Sequence, residues 1–217
     1  ATMSHIPVSN PVMRRLPRYY RFLSDLRDSG IERISSKDLA ARMDLTASQI
    51  RQDLNCFGGF GQQGYGYNVG QLTSEIEHIL YLDKKTPAIL IGMGNLGRAI
   101  YGYLAYEARG IELVGLFDRD PSQICLTEGT LPVLSITKLD ELCGEKKPLL
   151  AILCIPAERA QITAERLVAL GVRGFWNFTH ADLRLPAGIV VESVHLGDSL
   201  MTLGYLLNTS LEAGDAL

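Results

Sequence analysis

The sequence contains no apolar run long enough to cross a bilayer and no signal-peptide pattern, so neither membrane insertion nor export is expected. Its four cysteines, Cys56, Cys125, Cys143 and Cys154, form no C-x-x-C pair. That spacing offers no disulfide framework, and a reduced, cytoplasmic chain is expected. Four histidines, His5, His78, His180 and His195, are scattered without ligand spacing, so no metal is expected. A net charge of -3 over 217 residues argues against nucleic-acid binding by the whole surface. With 47% apolar residues the chain can still bury a sizeable core, as one large domain or two small ones.

What charge there is lies unevenly. Residues 1–85 carry 11 basic against 9 acidic side chains, whereas residues 86–217 carry 10 against 15. The bias is sharpest in the first 21 residues, where Arg14, Arg15, Arg18 and Arg21 meet no acid. A binding face and a merely solvated helix face account for that cluster equally well.

Local patterns divide the first 85 residues into short helices. Asn10-Pro11 suits a helix start, and Leu16, Tyr19, Tyr20, Leu23 and Leu26 recur at helical spacing. Pro17 should kink this helix or mark its true start, and Gly30 should end it. Ser35 with Asp38 three positions on caps a second helix, and Thr46 with Gln49 repeats the pattern ahead of a third. Two short capped helices joined by a tight turn form a helix-turn-helix. The outward face of the later helix carries Ala47, Ser48, Arg51, Gln52 and Asn55, residue types that suit phosphates and base edges. Arg14, Ser35 and Thr46 join this candidate DNA-binding set. An ordinary three-helix domain with polar solvent positions is the alternative.

Phe57 to Tyr67 interleaves five glycines with four aromatics, a composition suited to a two-stranded hairpin packed on the helices. Placed after a recognition helix, such a hairpin is a wing, with Phe57, Gly61, Gln62, Gln63 and Tyr65 as candidate contacts to phosphates or the minor groove. A hairpin that only closes the domain is the competing reading. A helix over 71–82 and the polar stretch Asp83 to Pro87 then mark a boundary, giving a winged-helix domain with connecting helix over residues 1–85.

From residue 86 strands and helices alternate. Strands are expected over 88–92, 111–117, 131–134, 149–155, 172–176 and 189–194, and helices over 95–108, 135–143, 157–170 and 196–208. The first strand delivers Gly92-Met93-Gly94-Asn95-Leu96-Gly97, a Gly-x-Gly-x-x-Gly turn. Its glycines allow the tight turn, the approach of a pyrophosphate and close helix packing, and the helix N-terminus supplies free amides. Asp118 follows Gly97 by 21 positions at the end of the second strand, where an acid accepts from a ribose hydroxyl. An NAD(H)-binding Rossmann domain over 86–194 is the result. Asp118 favours NAD(H) over its 2′-phosphorylated relative, with Arg119 a weaker counter-argument. Ile155, Pro156, Asn177 and Phe178 also fall at strand ends, where they can wall or hydrogen-bond the cofactor rings. Plain loop packing explains them as readily.

The last helix, Leu196 to Asn208, is the core of a C-terminal segment over 195–217. It carries a broad apolar stripe that can close its own domain or reach a second subunit. A small NAD-dependent dehydrogenase is the rival reading. Its proton donors would be Tyr103, His180 or His195, and the pair Tyr81 and Lys85 precedes the glycine loop, on the wrong side for a short-chain enzyme.

Together, Arg15-Leu-Pro-Arg-Tyr-Tyr-Arg21, Arg51-Gln-Asp-Leu54, the Phe-Gly-x-Phe-Gly wing ending in Gly-Tyr-Asn68, and Gly92-x-Gly-Asn-Leu-Gly97 resemble the Rex family of redox-sensing transcriptional repressors. The resemblance spans about residues 8 to 208. It implies a non-enzymatic homodimer that binds inverted-repeat operator DNA and releases it when NADH rises, with the C-terminal helix exchanged between subunits. The implied fold is a winged helix-turn-helix followed by an α/β Rossmann domain and a domain-swapped helix. It also implies a switch in which an acid opening the terminal helix pairs with Arg15 or Tyr103. This chain has His195 there, so either Asp198 one turn on substitutes or the switch differs; a His195 that simply caps or packs accounts for the position equally well. Gln52, Gln62 and Gln63 stand where the family usually has Lys or Arg, which predicts weaker, less salt-sensitive DNA binding.

Overall fold

A computed structural model describes residues 9–56, 61–62, 66–106, 109–120, 122, 127–128 and 131–212. The chain separates into two compact units, residues 1–83 and 84–217. Among the described residues no helix is long and apolar enough to cross a membrane.

The first unit contains helices α1 (Asn10–Asp28), α2 (Ser36–Met43), α3 (Ala47–Asn55) and α4 (Val69–Ile79), with strands β1 (Arg33–Ile34), β2 (Gly61–Gln62) and β3 (Gly66–Asn68). Helix α1 runs unbroken through Pro17, so that proline does not mark its start. Pro17 and Met13 are both exposed, so the hydrogen bond that Pro17 cannot donate is missing on the helix's outer side. The expected caps are in place: the Ser35 hydroxyl accepts from the Asp38 amide at 3.0 Å and Thr46 from the Gln49 amide at 3.1 Å. The wing is a three-stranded antiparallel sheet in the order β1-β3-β2, where only a hairpin was expected. Two-residue β1 is too short to show any periodicity. Leu16, Tyr19, Leu23, Ile50, Leu54, Leu72 and Ile76 are buried in one apolar core.

In the second unit the strands are β4 (Thr86–Ile91), β5 (Ile111–Asp118), β6 (Thr127–Glu128), β7 (Leu131–Ser135), β8 (Leu150–Leu153), β9 (Gly174–Asn177) and β10 (Val190–Ser193). The helices are α5 (Asn95–Tyr106), α6 (Leu139–Lys146), α7 (Ala157–Ala169) and α8 (Leu196–Glu212), with a 3-10 turn, Ile136–Lys138, leading into α6. The sheet order is β10-β9-β8-β4-β5-β7-β6, parallel throughout except for the β6–β7 pair. Alternate residues of β4 serve opposite faces: Ile89 and Ile91 pack with α6 and α7, while Ala88 and Leu90 pack with Tyr101 and Leu104 of α5. Chain order reverses between β4 and β8, so a crevice opens beyond their carboxyl ends. Helix α8 contributes no buried residue.

Candidate dinucleotide cleft and nucleic-acid interface

The turn after β4 is dictated by two backbone collisions that only glycine avoids. Gly92 sits at φ +99°, and a β-carbon there would strike the Cys154 carbonyl; at Gly97 it would strike the carbonyl oxygen of Gly92 itself. Gly94 has nothing within 4 Å of where a β-carbon would stand and is exposed. The first two glycines therefore close strand, turn and helix on one another, and Gly94 leaves the backbone open to a ligand. Free amides at the start of α5 lie beside it.

The loop is also tied to the acid of β5. The Met93 amide donates to Asp118 Oδ2 at 2.6 Å, and Asp120 N–H donates to Oδ1 at 2.8 Å. Each carboxylate oxygen keeps a further lone pair for a hydroxyl. Met93 itself is fully buried with Leu90 and Tyr101. Of the six loop residues expected to touch the cofactor, Met93 is thus committed to the protein through both amide and side chain.

Beyond the loop lies a cleft of about 480 Å³. Gly92, Gly94, Asp118, Arg119, Ile155 and Pro156 line it, as the sequence suggested. Ile136 and Leu139, with Arg159, Ile162, Thr163 and Arg166 along one side of α7, complete the wall. Sequence reading missed these. Their trace in the sequence is faint: Ile162 is apolar among Arg159, Thr163 and Arg166 at helical spacing, and only the fold leaves it 66% exposed. Arg166 is anchored by Asp140 at 2.8 Å. Cys154 also borders the cleft, its thiol pushed up to about 12 by burial, so it stays protonated at neutral pH. An apolar slot between β5, α6 and α7, a phosphate cradle and a fixed hydroxyl acceptor fit an adenosine dinucleotide.

Two expected contacts are otherwise employed. Asn177 is fully buried: its amide donates to the Ala181 carbonyl at 2.9 Å and to Ser193 Oγ at 3.2 Å, while its oxygen accepts from Thr179 N–H and Oγ1. With both ends satisfied it clamps the turn after β9 and leaves nothing for a ligand. Phe178 is 9% exposed and packs edge-on against Trp176 at 4.5 Å, inside the core rather than on the cleft wall.

Of the residues assigned to the switch, Tyr103 stands exposed on α5, and His195 stacks on His180 at 6.0 Å. Asp198, in the first turn of α8, donates its amide to the His195 carbonyl at 3.1 Å. No hydrogen bond joins these side chains among the described residues. Arg15 is engaged within its own unit, where its guanidinium grips Asp53 of α3 through Nε at 2.6 Å and Nη2 at 2.8 Å.

Helix α3 offers the expected outward face. Ser48, Arg51, Gln52 and Asn55 are exposed and Ala47 half-buried, whereas Ile50, Asp53 and Leu54 face inward. Arg51 rests on Ser36 Oγ at 3.2 Å, and Thr46 and Ser35 are spent as caps with oxygens at the helix starts. Arg14 is exposed on α1. Gly61 and Gln62 form β2 against Tyr67 and Gly66; Phe57, Gln63 and Tyr65 lie outside the described residues. Asp53 was read from sequence only as a helical position. Burial pushes its carboxyl up, but hydrogen bonds from Arg15, Gln49 and Tyr19 and the Arg15 charge outweigh that and hold it below the usual carboxylate range.

The two units match separate family models, one described as a putative DNA-binding protein N-terminus over residues 7–55 and one as a CoA binding domain over residues 83–181. The chain is 51% identical over 201 residues, 93% of its length and 90% of the relative, to the redox-sensing transcriptional repressor Rex of Caldanaerobacter subterraneus subsp. tengcongensis. It is similar to the crystal structure of RSP in complex with beta-NAD+ and operator DNA, with a TM-score of 0.87 and 46% identity over 97% of this chain and 99% of that one. The structure of RSP in complex with beta-NADH matches at a TM-score of 0.87 and 44% identity, covering 95% and 97% of the two chains. RSP is described as a Rex-family repressor, and the curated relatives are named as repressors rather than enzymes. On identity of about half along more than nine-tenths of its length, this chain belongs to the Rex family of redox-sensing transcriptional repressors.

Proposed function

We propose that this chain is a repressor that holds an inverted-repeat operator as a homodimer and lets it go when NADH fills the cleft. The observation that carries the reading is the presence, on one chain, of the glycine-lined cleft with Asp118 and an exposed helix-turn-helix face around Arg51. Amides at Gly94, Asn95, Leu96 and Gly97 hold the pyrophosphate, Asp118 accepts from the adenosine ribose, and Arg119, Ile155 and Pro156 border the adenosine end. The cofactor supplies no chemistry here; its nicotinamide charge and ring shape are the signal. Ser48, Arg51 and Asn55 enter the major groove, with Gln52, Arg14, Ser35, Thr46 and the wing residues Phe57, Gly61, Gln62, Gln63 and Tyr65 on the flanking backbone.

Exchange of α8 between subunits is supported by its surface. Leu196, Leu200, Leu203, Leu206, Leu207 and Leu211 are each more than half exposed. A 17-residue helix with no buried residue of its own leaves that apolar stripe for a second copy to cover. Arg15, Tyr103, His195 and Asp198 are then the groups the exchange brings into play, and a reduced cytoplasm is where such a sensor meets its operator. The deciding test is a gel shift on an inverted-repeat operator titrated with NADH and with NAD+. Release by NADH at concentrations where NAD+ leaves the complex intact is expected; operator binding indifferent to NADH sinks the sensor reading.

A further inference from the structure

Asp53 lies on the inward side of α3, 1% exposed, and its two oxygens are saturated by four donors. Oδ2 accepts from Arg15 Nε at 2.6 Å and the Tyr19 hydroxyl at 2.9 Å; Oδ1 accepts from Arg15 Nη2 at 2.8 Å and Gln49 Nε2 at 2.9 Å. Three of those bonds come from α1. The neighbouring anchors of α3, Ile50 and Leu54, are apolar and buried, and apolar contact is non-directional, so alone it lets a nine-residue helix roll or slide by a fraction of a turn. A bidentate guanidinium on a carboxylate permits no such freedom. Replacing buried ion pairs by apolar side chains is often neutral for stability. The network therefore earns its place through orientation.

We propose that Asp53, gripped by Arg15 and Tyr19, is a positioning residue for operator reading: it sets the rotation at which α3 presents Ser48, Arg51 and Asn55. The proposal rests on the reading of α3 as the operator-contacting helix. Asp53 itself touches no DNA, because it faces the interior.

The test is the full-length triple variant Tyr19→Phe, Gln49→Leu, Asp53→Leu, which removes the carboxylate with two of its donors and leaves in place Arg15, a residue also assigned to the switch, whose 28% exposed guanidinium can turn to water. It should still melt cooperatively, at a lower temperature, and bind NADH as the parent does, yet lose about 10-fold or more in preference for operator over unrelated DNA, the equivalent of one good base contact. Asp53→Glu, which keeps the charge but displaces the fork, should lose operator preference by a smaller factor. Parental preference in a folded triple variant overturns the proposal. If the triple variant does not fold, parental preference in Asp53→Glu overturns it instead. A parent chain that shows no operator preference at all refutes the function of α3 rather than the role of Asp53.

Discussion

Asp53 and Asp118 anchor the two functional regions by opposite means. In the winged unit Asp53 is buried and its lone pairs are used up by Arg15, Tyr19 and Gln49. In the cleft Asp118 is half-buried and spends one bond per oxygen, on Met93 N–H and Asp120 N–H. Saturation marks a group whose task is to hold protein against protein. Spare capacity beside a cavity marks one that waits for a ligand. Substitutions can break this contrast at either end.

The largest effect is expected where the cleft has no slack. Gly97→Ala puts a methyl group against the Gly92 carbonyl oxygen, and backbone cannot yield as a side chain can. Opening the turn forfeits phosphate contacts worth about 3 kcal/mol or more, so NADH binding should fall by at least two orders of magnitude in a calorimetric titration. The winged unit should be untouched, with operator binding retained but no longer relieved by NADH.

Asp53→Asn comes next. It leaves the Arg15 charge without its partner, at a cost of about 3 kcal/mol to folding, visible as an earlier thermal transition with NADH affinity unchanged. The same group gives a pH signature. Its folded value lies below the ordinary one, so its contribution is complete above about pH 4 and drains away as pH falls through the lower folded value. Melting temperatures taken downward from pH 6 should show an acid limb that Asp53→Asn flattens.

Asp118→Asn should be milder. An amide can still accept a hydroxyl through one oxygen, but it sets an N–H2 against either the Met93 amide or the ribose. Roughly a 10-fold loss of NADH affinity is expected from one degraded hydrogen bond to a charged group, with a relative gain for the 2′-phosphorylated cofactor once the repelling charge is gone. Unchanged selectivity between the two cofactors would show that Asp118 serves the loop alone.

The same contrast explains what could be read from sequence. Gly92 and Gly97 were legible because a glycine demanded by a backbone collision is written directly into the chain, and Asp118 because strand and turn lengths fix its spacing. The capped helices α2 and α3 were legible for a similar reason, since Ser35 and Thr46 act within three residues of themselves. Asp53 was not, because its partners lie 34 and 38 positions upstream and only packing brings them together. The α7 wall of the cleft, Arg159 to Arg166, failed to show for want of knowing which side of that helix the sheet leaves uncovered. Asn177 was placed at the right strand end with cofactor contact and loop packing both open, and its hydrogen bonds go to the loop. A strand end says where a residue is, while the turn from Asn177 to Ala181 decides where its amide points.

The smallest expected effect tests how additive the outer face of α3 is. Gln52 is exposed beside Arg51 and takes no part in the Asp53 network. Gln52→Lys should leave the helix orientation alone and add one phosphate contact. Neutralising one more phosphate steepens the dependence of log K on log salt by about one unit, for operator and unrelated DNA alike. Affinity should therefore rise at low salt while the preference for operator stays constant, a pattern that binding isotherms at several salt concentrations resolve. If operator preference fell as well, Gln52 would be reading a base edge, and the outer face would be as intolerant as the buried one. If the slope did not change, position 52 would lie off the backbone, and α3 would sit rotated from the angle that places Ser48, Arg51 and Asn55 in the groove.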